Sequence, residues 1–458
     1  MRPLWRFPAA WLIAIPILVL ALLALSGRLT AEYPPDSSGY TGFDWSTPPR
    51  IVSQIRTFFY PLFLKTVGLL GTGPAAIPLA HWAAAMLSSW AVYWGLGKAG
   101  YRRWTVLWCA VSLMFGRSLI DLGMLVAPDS LAISLAVASA GCFFAAISPS
   151  GSRLGWVGLA LFTFLAYQAR PSYLFLIPLW PLLCAILDRF LLRRGGSPRD
   201  RLRRIGWMLA ATAIPFALFC SLRWMLVGHW GLVSFGGYNI IGVAGQLLEP
   251  ALIEELPPDL QTLARAMLDR RAELGIDWQR SDFAAMELRF NSAVWQVAVP
   301  AAEKLHGTDA TAVNRDLSRL SREIIWHRPG AYLRWLLLNL NHARQQILVL
   351  TLMDKGTVLA GGLFLLALAA AFLKGAPAGS ESAEGLPNGS RQRFHETHLL
   401  FWSAACFALA KTLLVILVEP ANDRYMTGAM VLLPAAIATA VAHYVERVFP
   451  SAAAALDE

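Results

Sequence analysis

A helix needs about twenty apolar residues to cross the hydrocarbon core of a bilayer, and this chain offers about ten such runs. They fall near 9–26, 74–96, 104–121, 129–147, 155–168, 172–190, 206–227, 356–373, 399–418 and 426–445. In lipid every backbone N–H and C=O must be satisfied inside the segment, so runs of this kind become helices. The fold class expected is all-α and polytopic, with juxtamembrane helices and a mainly helical loop region outside the membrane. Composition agrees: 56% of the 458 residues are hydrophobic and 15% charged, with mean hydropathy +0.50, which is too apolar for a soluble enzyme. The first run follows Arg2 and Arg6, and Ser26-Gly27-Arg28 makes a poor cleavage site. It reads as a retained signal-anchor.

The charges orient these runs. With the N-terminus in the cytoplasm, the cytoplasmic segments hold Lys98, Arg102, Arg103, Arg153, the cluster from Arg189 to Arg204, Lys374, Arg391, Arg393 and Arg447. The short opposite loops hold little beyond Arg170 and Arg424. That asymmetry follows the positive-inside rule and returns the C-terminus to the cytoplasm. A net charge of +10 can point to nucleic acid. Much of it sits in short loops between apolar runs, so anionic headgroups and phosphates are the partners expected. All five cysteines lie in apolar runs without a CxxC pair, which supports neither a disulfide framework nor a zinc site.

Three units follow. Residues 1–227 form an N-terminal membrane module with a first outer loop at 27–73. Residues 228–354 form an outer helical region, and 355–458 a second membrane module with a cytoplasmic linker at 375–397. Within the first loop, Ile51 to Tyr60 reads as a helix lying on the membrane surface. Helical patterns recur at Leu256–Leu274, Phe283–Leu305, Ala312–Trp326 and Tyr332–Leu350. The last carries Arg334, Asn339, Asn341, His342 and Arg344, which favour an interfacial helix over a span.

Chemistry concentrates in short polar turns at the outer face. Asp36 stands in Pro35-Asp36-Ser37-Ser38-Gly39-Tyr40, just after the first run. Pro34 and Pro35 forbid the helix that would set Glu32 beside it. Asp36 is then either a catalytic carboxylate or the acceptor of an Asx-turn or helix cap. Asp44 is a second acid in the same loop. Asp129 follows Pro128 at a helix start, where a carboxylate satisfies free N–H groups. Arg170, in Gln168-Ala169-Arg170-Pro171-Ser172, and Arg424, in Glu419-Pro420-Ala421-Asn422-Asp423-Arg424-Tyr425, offer forks that suit phosphate oxygens. Each is equally able to pair with a nearby acid such as Asp423 or Glu419, or to snorkel to headgroups. Lys411 lies deep in its run and needs an acid or a cavity, whereas Arg117 and Arg223 are near enough to run ends to snorkel. The histidines show no ligand spacing. There is no GxxxxGK[ST], HExxH or GxSxG, and no pair of similar halves.

In order and position these features resemble the GT-C membrane glycosyltransferases, the superfamily of protein O-mannosyltransferases and aminoarabinose transferases. The resemblance runs from the first run and the Asp36-Ser37-Ser38-Gly39-Tyr40 turn, through Pro128-Asp129 and Arg170-Pro171, to Arg424-Tyr425 at the last run. Two departures stand out: Asp36-Ser37 replaces the paired acids of many members, and the large outer region precedes the final three runs. The compact loops and absence of retrieval signals favour a multi-pass protein of a bacterial inner membrane, and the resemblance implies a periplasmic active site. It implies a polyprenyl-phosphate-linked hexosyl or pentosyl donor and a hydroxyl acceptor on a glycolipid, polysaccharide or protein. Asp36 would be the general base of an inverting transfer, with Asp44 and Asp129 as further acids. Arg170, Arg424 or Lys65 would hold the donor phosphate, and Tyr40, Tyr425 and Glu419 would face the sugar or acceptor. No cofactor is required, and a divalent cation such as Mg or Mn is compatible. Two other classes fit the same outer surface: a transporter or flippase of a lipid-linked saccharide, which Lys411 favours, and a glycan polymerase or ligase.

Overall fold

The computed structural model describes residues 8–116, 120–148, 151–190, 197–275, 282–373 and 388–448. Among them the fold is all-α, and the single extended contact is an isolated parallel bridge between Glu32 and Leu125. The N-terminal module holds α1 (Pro8–Leu25), α2 (Pro48–Ser53), α3 (Phe59–Leu70), α4 (Ala76–Lys98), α5 (Arg103–Met114), α6 (Asp129–Ala146), α7 (Arg153–Ala169), α8 (Leu176–Phe190) and α9 (Pro198–Val227). The region that follows holds α10 (Gly236–Ala244), α11 (Pro258–Leu274), α12 (Phe283–Ser292), α13 (Val299–His306), α14 (Ala310–His327) and α15 (Pro329–Met353). The chain closes with α16 (Lys355–Leu373), α17 (Asn388–Ile416), α18 (Asp423–Met430) and α19 (Leu433–Val448).

Helix α6 is the axis of the first module, with all its residues buried. Its Ala, Ser and Gly content lets α4 and α7 approach closely, the way apolar helices associate without a hydrophobic drive. A Cβ on Gly141 would run into the backbone of Ala91 and Val92 in α4, and one on Gly155 of α7 would come within 2.8 Å of the Ala146 backbone N. At the edge, α9 starts with a capping box in which Ser197 and Asp200 exchange bonds, and stops at Gly228 with φ 70°, a left-handed conformation that glycine adopts without strain. Its Leu202, Trp207, Leu209, Leu218 and Met225 are exposed, as suits a helix facing lipid.

The ten expected spans are not all matched by long apolar helices among the described residues. Four described helices are long and apolar enough to cross a membrane, and six if each of two bent pairs is one span. The runs at 104–121 and 155–168 give helices of only 12 and 17 residues. The run at 74–96 gives a continuous 23-residue helix whose apolar sequence includes buried polar His81, Ser88 and Ser89. The helix expected at Tyr332–Leu350 is α15, and it continues into α16 across a 60° bend. Buried Asp354 makes that bend by accepting from the N–H groups of Gly356 and Thr357 at 2.9 and 3.3 Å. The linker expected at 375–397 lies outside the described residues up to 387, and its remainder opens α17. Arg117 also lies outside them.

The region after α9 has its own apolar core, in which Ile241, Leu260, Leu263, Met267, Val297, Leu317 and Leu320 pack together. The stretch expected as one helix over Phe283–Leu305 is α12 and α13 joined by a π-helical turn at Ala293–Ala298. Such turns re-aim side chains and recur at functional sites.

Candidate active site

The first loop is tied to the end of the bundle from which α6 begins. Glu32 N–H donates to Met124 O and Val126 N–H to Glu32 O, both at 2.8 Å. The Ser37 hydroxyl donates to Val126 O at 2.9 Å. Asp36 sits in a single 3-10 turn, Pro35–Ser37, started by the fixed φ of Pro35. Its carboxylate caps no helix. Arg56 Nη2 donates to one oxygen at 3.5 Å and Arg424 Nη1 to the other at 3.4 Å. Its side chain is 47% exposed.

Asp129 plays a different part. It opens α6, is only 3% exposed, and accepts from Arg424 Nε and Nη2 at 2.9 and 2.7 Å. Its second oxygen pairs with Arg170. One buried carboxylate therefore holds both arginines, and Arg424 bridges it to Asp36. Carboxylates from distant segments pair with these arginines. Arg170 leaves α7 in extended geometry and lays its guanidinium over the Tyr425 ring at 4.6 Å.

Glu419 is placed by α15. Asn339 donates to Ile416 O and Glu419 O at 3.3 and 2.8 Å and accepts from Ala421 N–H at 2.8 Å. Trp335 and Tyr332 donate to Ile416 O and Leu417 O at 3.2 and 2.6 Å. Asn339, read from sequence as a sign of an interfacial position, is a buried clamp on the turn before α18.

The surface helix expected over Ile51–Tyr60 is broken. Helix α2 stops at Ser53 and α3 begins at Phe59. Gln54 makes the break: its amide donates to Asp44 O and Arg50 O at 2.9 and 3.2 Å and accepts from Asp44 N–H at 3.1 Å. The freed residues Ile55, Arg56 and Thr57 turn into the site, and the Arg56 guanidinium lies 5.0 Å over Tyr40 and 5.2 Å over Phe235.

These parts enclose a cavity of about 140 Å³. Asp36, Tyr40, Arg170, Glu419, Arg424 and Tyr425 line it together with Arg56, Ser172, Phe235, Asn239, Asn291 and Trp295. Asp129 lies behind the arginines, outside the lining. Asp44 and Lys65 are not brought to the cavity. Asp44 accepts from Ser46 N–H at 2.8 Å, and the Ser46 side chain and N–H hold its exposed carboxyl below the ordinary range. The Asx-turn weighed for Asp36 belongs to Asp44, whose neighbour two residues on carries the free N–H. Lys65 stands 5.4 Å over the Trp45 ring. A second chamber of about 650 Å³ shares Ile55, Arg56 and Trp295 with the first, and Tyr238, Glu303 and Asp309 line it farther out. Among the described residues no three His, Cys, Asp or Glu side chains converge as a metal site.

Sequence reasoning missed Arg56, Ser172 and the residues from α10 and α12. Arg56 had a local signal, a cation inside an apolar helix pattern. Trp295, placed by the π-helical turn, had none. Arg223 was read as snorkelling, yet it is fully buried. It donates to Val52 O at 2.7 Å, Ser234 Oγ at 2.5 Å and Gly231 O at 3.3 Å, and meets His229 Nδ1 at 2.5 Å. It fixes both α2, next to Arg56, and the turn before Phe235.

The chain is similar to two solved structures of one protein. These are ArnT from Cupriavidus metallidurans bound to undecaprenyl phosphate, at 13% identity and TM-score 0.37, and its apo state, at 16% and 0.34. In each case 96% of this chain and 78% of that one are covered. No family profile matches the chain, and no curated protein does. At these scores the likeness assigns no role to any residue, so function rests on the chain's own geometry.

Proposed function

We propose that this is an integral-membrane glycosyltransferase that moves a sugar from a polyprenyl-phosphate donor to a hydroxyl acceptor, with Asp36 as general base. The observation that carries it is a half-exposed carboxylate at the end of an apolar helical bundle, aimed into a cavity by two arginines that face the same space. The donor class is the one the sequence resemblance implies. Asp36 takes the proton of the acceptor hydroxyl, a task typically worth about 10²–10⁴ in rate. The acceptor oxygen bonds to the anomeric carbon with inversion as the bond from that carbon to the phosphate oxygen breaks. The electron pair leaves on the phosphate. A phosphate leaving group carries stable negative charge and needs cations rather than a second acid, and preset cations act most strongly where water is excluded.

Asp129 in this reading is a positioning residue. It keeps Arg170 and Arg424 in place and lies behind them, outside the cavity lining. The outer chamber, with Trp295, Glu303 and Asp309 on its walls, gives the acceptor its route. The cavity faces the periplasm and the basic ends of α4, α5, α7 and α9 face the cytoplasm, as the positive-inside rule requires. A transporter needs a polar path through the bilayer, and Lys411, the residue that favoured one, is committed to Ser172. The test is transfer from a polyprenyl-phosphate sugar by purified Asp36→Asn protein in liposomes. Transfer should fall by at least about 10² with folding retained; transfer at the wild-type rate would remove Asp36 from the mechanism.

A further inference from the structure

Lys411 is 1% exposed in the last third of α17, and among the described residues no carboxylate makes an ion pair with it. A buried amine that bonds no carboxylate is costly inside an apolar bundle, and such a residue is a candidate for function. Its ammonium donates to Ser172 O at 3.2 Å and to Ser172 Oγ at 2.5 Å, and lies 4.2 Å over the Tyr173 ring. An ammonium only donates. Ser172 Oγ is therefore the acceptor of this bond, and its own O–H is left to donate elsewhere. Ser172 lines the cavity, and among the described residues no protein group accepts from it.

The charges around the cavity point the same way. Asp129 already counters Arg170 and Arg424, and Asp36 is shared by Arg424 and Arg56. Arg56, Arg170 and Arg424 are thus already engaged with carboxylates, whereas the Lys411–Ser172 pair is not. We propose that Ser172, polarised from behind by Lys411, is the anion-binding donor of the cavity and takes an oxygen of a phosphate group. The lipid form of that phosphate rests on the donor reading above; the subsite itself does not. Arg170 and Arg424 then shape the space, and Ser172 with Lys411 supplies a donor that no carboxylate takes up.

The test is equilibrium binding of three probes to the purified full chain: farnesyl phosphate, farnesol and inorganic phosphate. Farnesyl phosphate should bind and farnesol should not. Ser172→Ala and Lys411→Met should each weaken farnesyl phosphate by about tenfold or more, the loss typical of a hydrogen bond to a charged group. The double variant should bind no more weakly than Lys411→Met alone, because the hydroxyl acts through the ammonium. Replacing a buried charge by an apolar side chain of similar size is often neutral or stabilising, so the unliganded unfolding temperature of Lys411→Met should not fall. Wild-type affinity in Ser172→Ala, strictly additive losses, or equal binding of farnesol would overturn the subsite. If inorganic phosphate shows the full Ser172 dependence and the farnesyl chain adds nothing, the subsite stands and the lipid donor falls. If the wild type binds neither phosphate, both fall.

Discussion

Asp36 and Asp129 are the same side chain in two surroundings, and the difference sets what each substitution should do. Asp36 is half exposed and meets its arginines at 3.4 to 3.5 Å, so Asp36→Asn should leave the unfolding temperature near wild type while transfer collapses. Asp129 is 3% exposed and pairs with two arginines. Removing its charge strands both, and breaking a buried pair costs about 3–5 kcal/mol. Asp129→Asn should therefore lower the unfolding temperature as well as the rate, and thermal denaturation in detergent separates the two cases. An Asp129→Asn protein as stable as wild type would refute the clamp. His229 gives a pH prediction. Burial, and then the charge of Arg223, lower its pKa, so the fold favours the neutral ring. Its contribution is complete above the unfolded value of about 6.5 and is lost as pH falls below it. The unfolding temperature should drop between about pH 7 and pH 5, and His229→Asn should flatten that slope.

Among the elements, the α4–α6 contact and the break between α2 and α3 do the positioning. Gly141 meets the α4 backbone where any Cβ would stand, whereas Gly97 has nothing within 4 Å. Gly141→Ala should destabilise the chain by about 1–3 kcal/mol through overpacking. Gly97→Ala, in an open helical position, should be neutral or stabilising by up to about 1 kcal/mol. Equal stability of the two variants would mean that the helices do not depend on that close approach. At the break, the helix pattern over Ile51–Tyr60 was legible, but its interruption was not. Nothing local in Ser53-Gln54-Ile55 stops a helix; Gln54 does so by reaching back ten residues to Asp44. The π-helical turn at Ala293–Ala298 is likewise silent in sequence, because its residues are ordinary helix formers.

The proposed orientation puts the two ends of the molecule in two aqueous phases. The described end of the bundle with Asp36, Asp129, Arg170 and Arg424 also carries the helices from α10 to α14, while Arg153 and the start of α9 lie at the other. Four native cysteines are buried and Cys406 is intermediate, so background labelling by a membrane-impermeant maleimide should be low. Ser46→Cys should react from outside intact cells lacking an outer membrane barrier, and Arg201→Cys only after the inner membrane is opened. The reverse pattern would place the cavity in the cytoplasm and sink the periplasmic reading.

The sequence by itself determined the helices, their approximate order, and the presence of acids and arginines in the turns between them. Those are local properties: an apolar run must satisfy its own backbone, and a proline or polar turn must interrupt it. Tertiary structure alone decided which charges meet. Asp36 and Arg424 are 388 residues apart, and Arg424 and Asp129 are 295 apart. Their pairing follows from how α6, α7 and α18 stack, which no periodicity records. For the same reason the sequence could not separate Asp36 from Asp44, or show that the arginines expected to await a phosphate already hold a carboxylate. A charge acts through its distance to other charges, and that distance exists only once the bundle has closed.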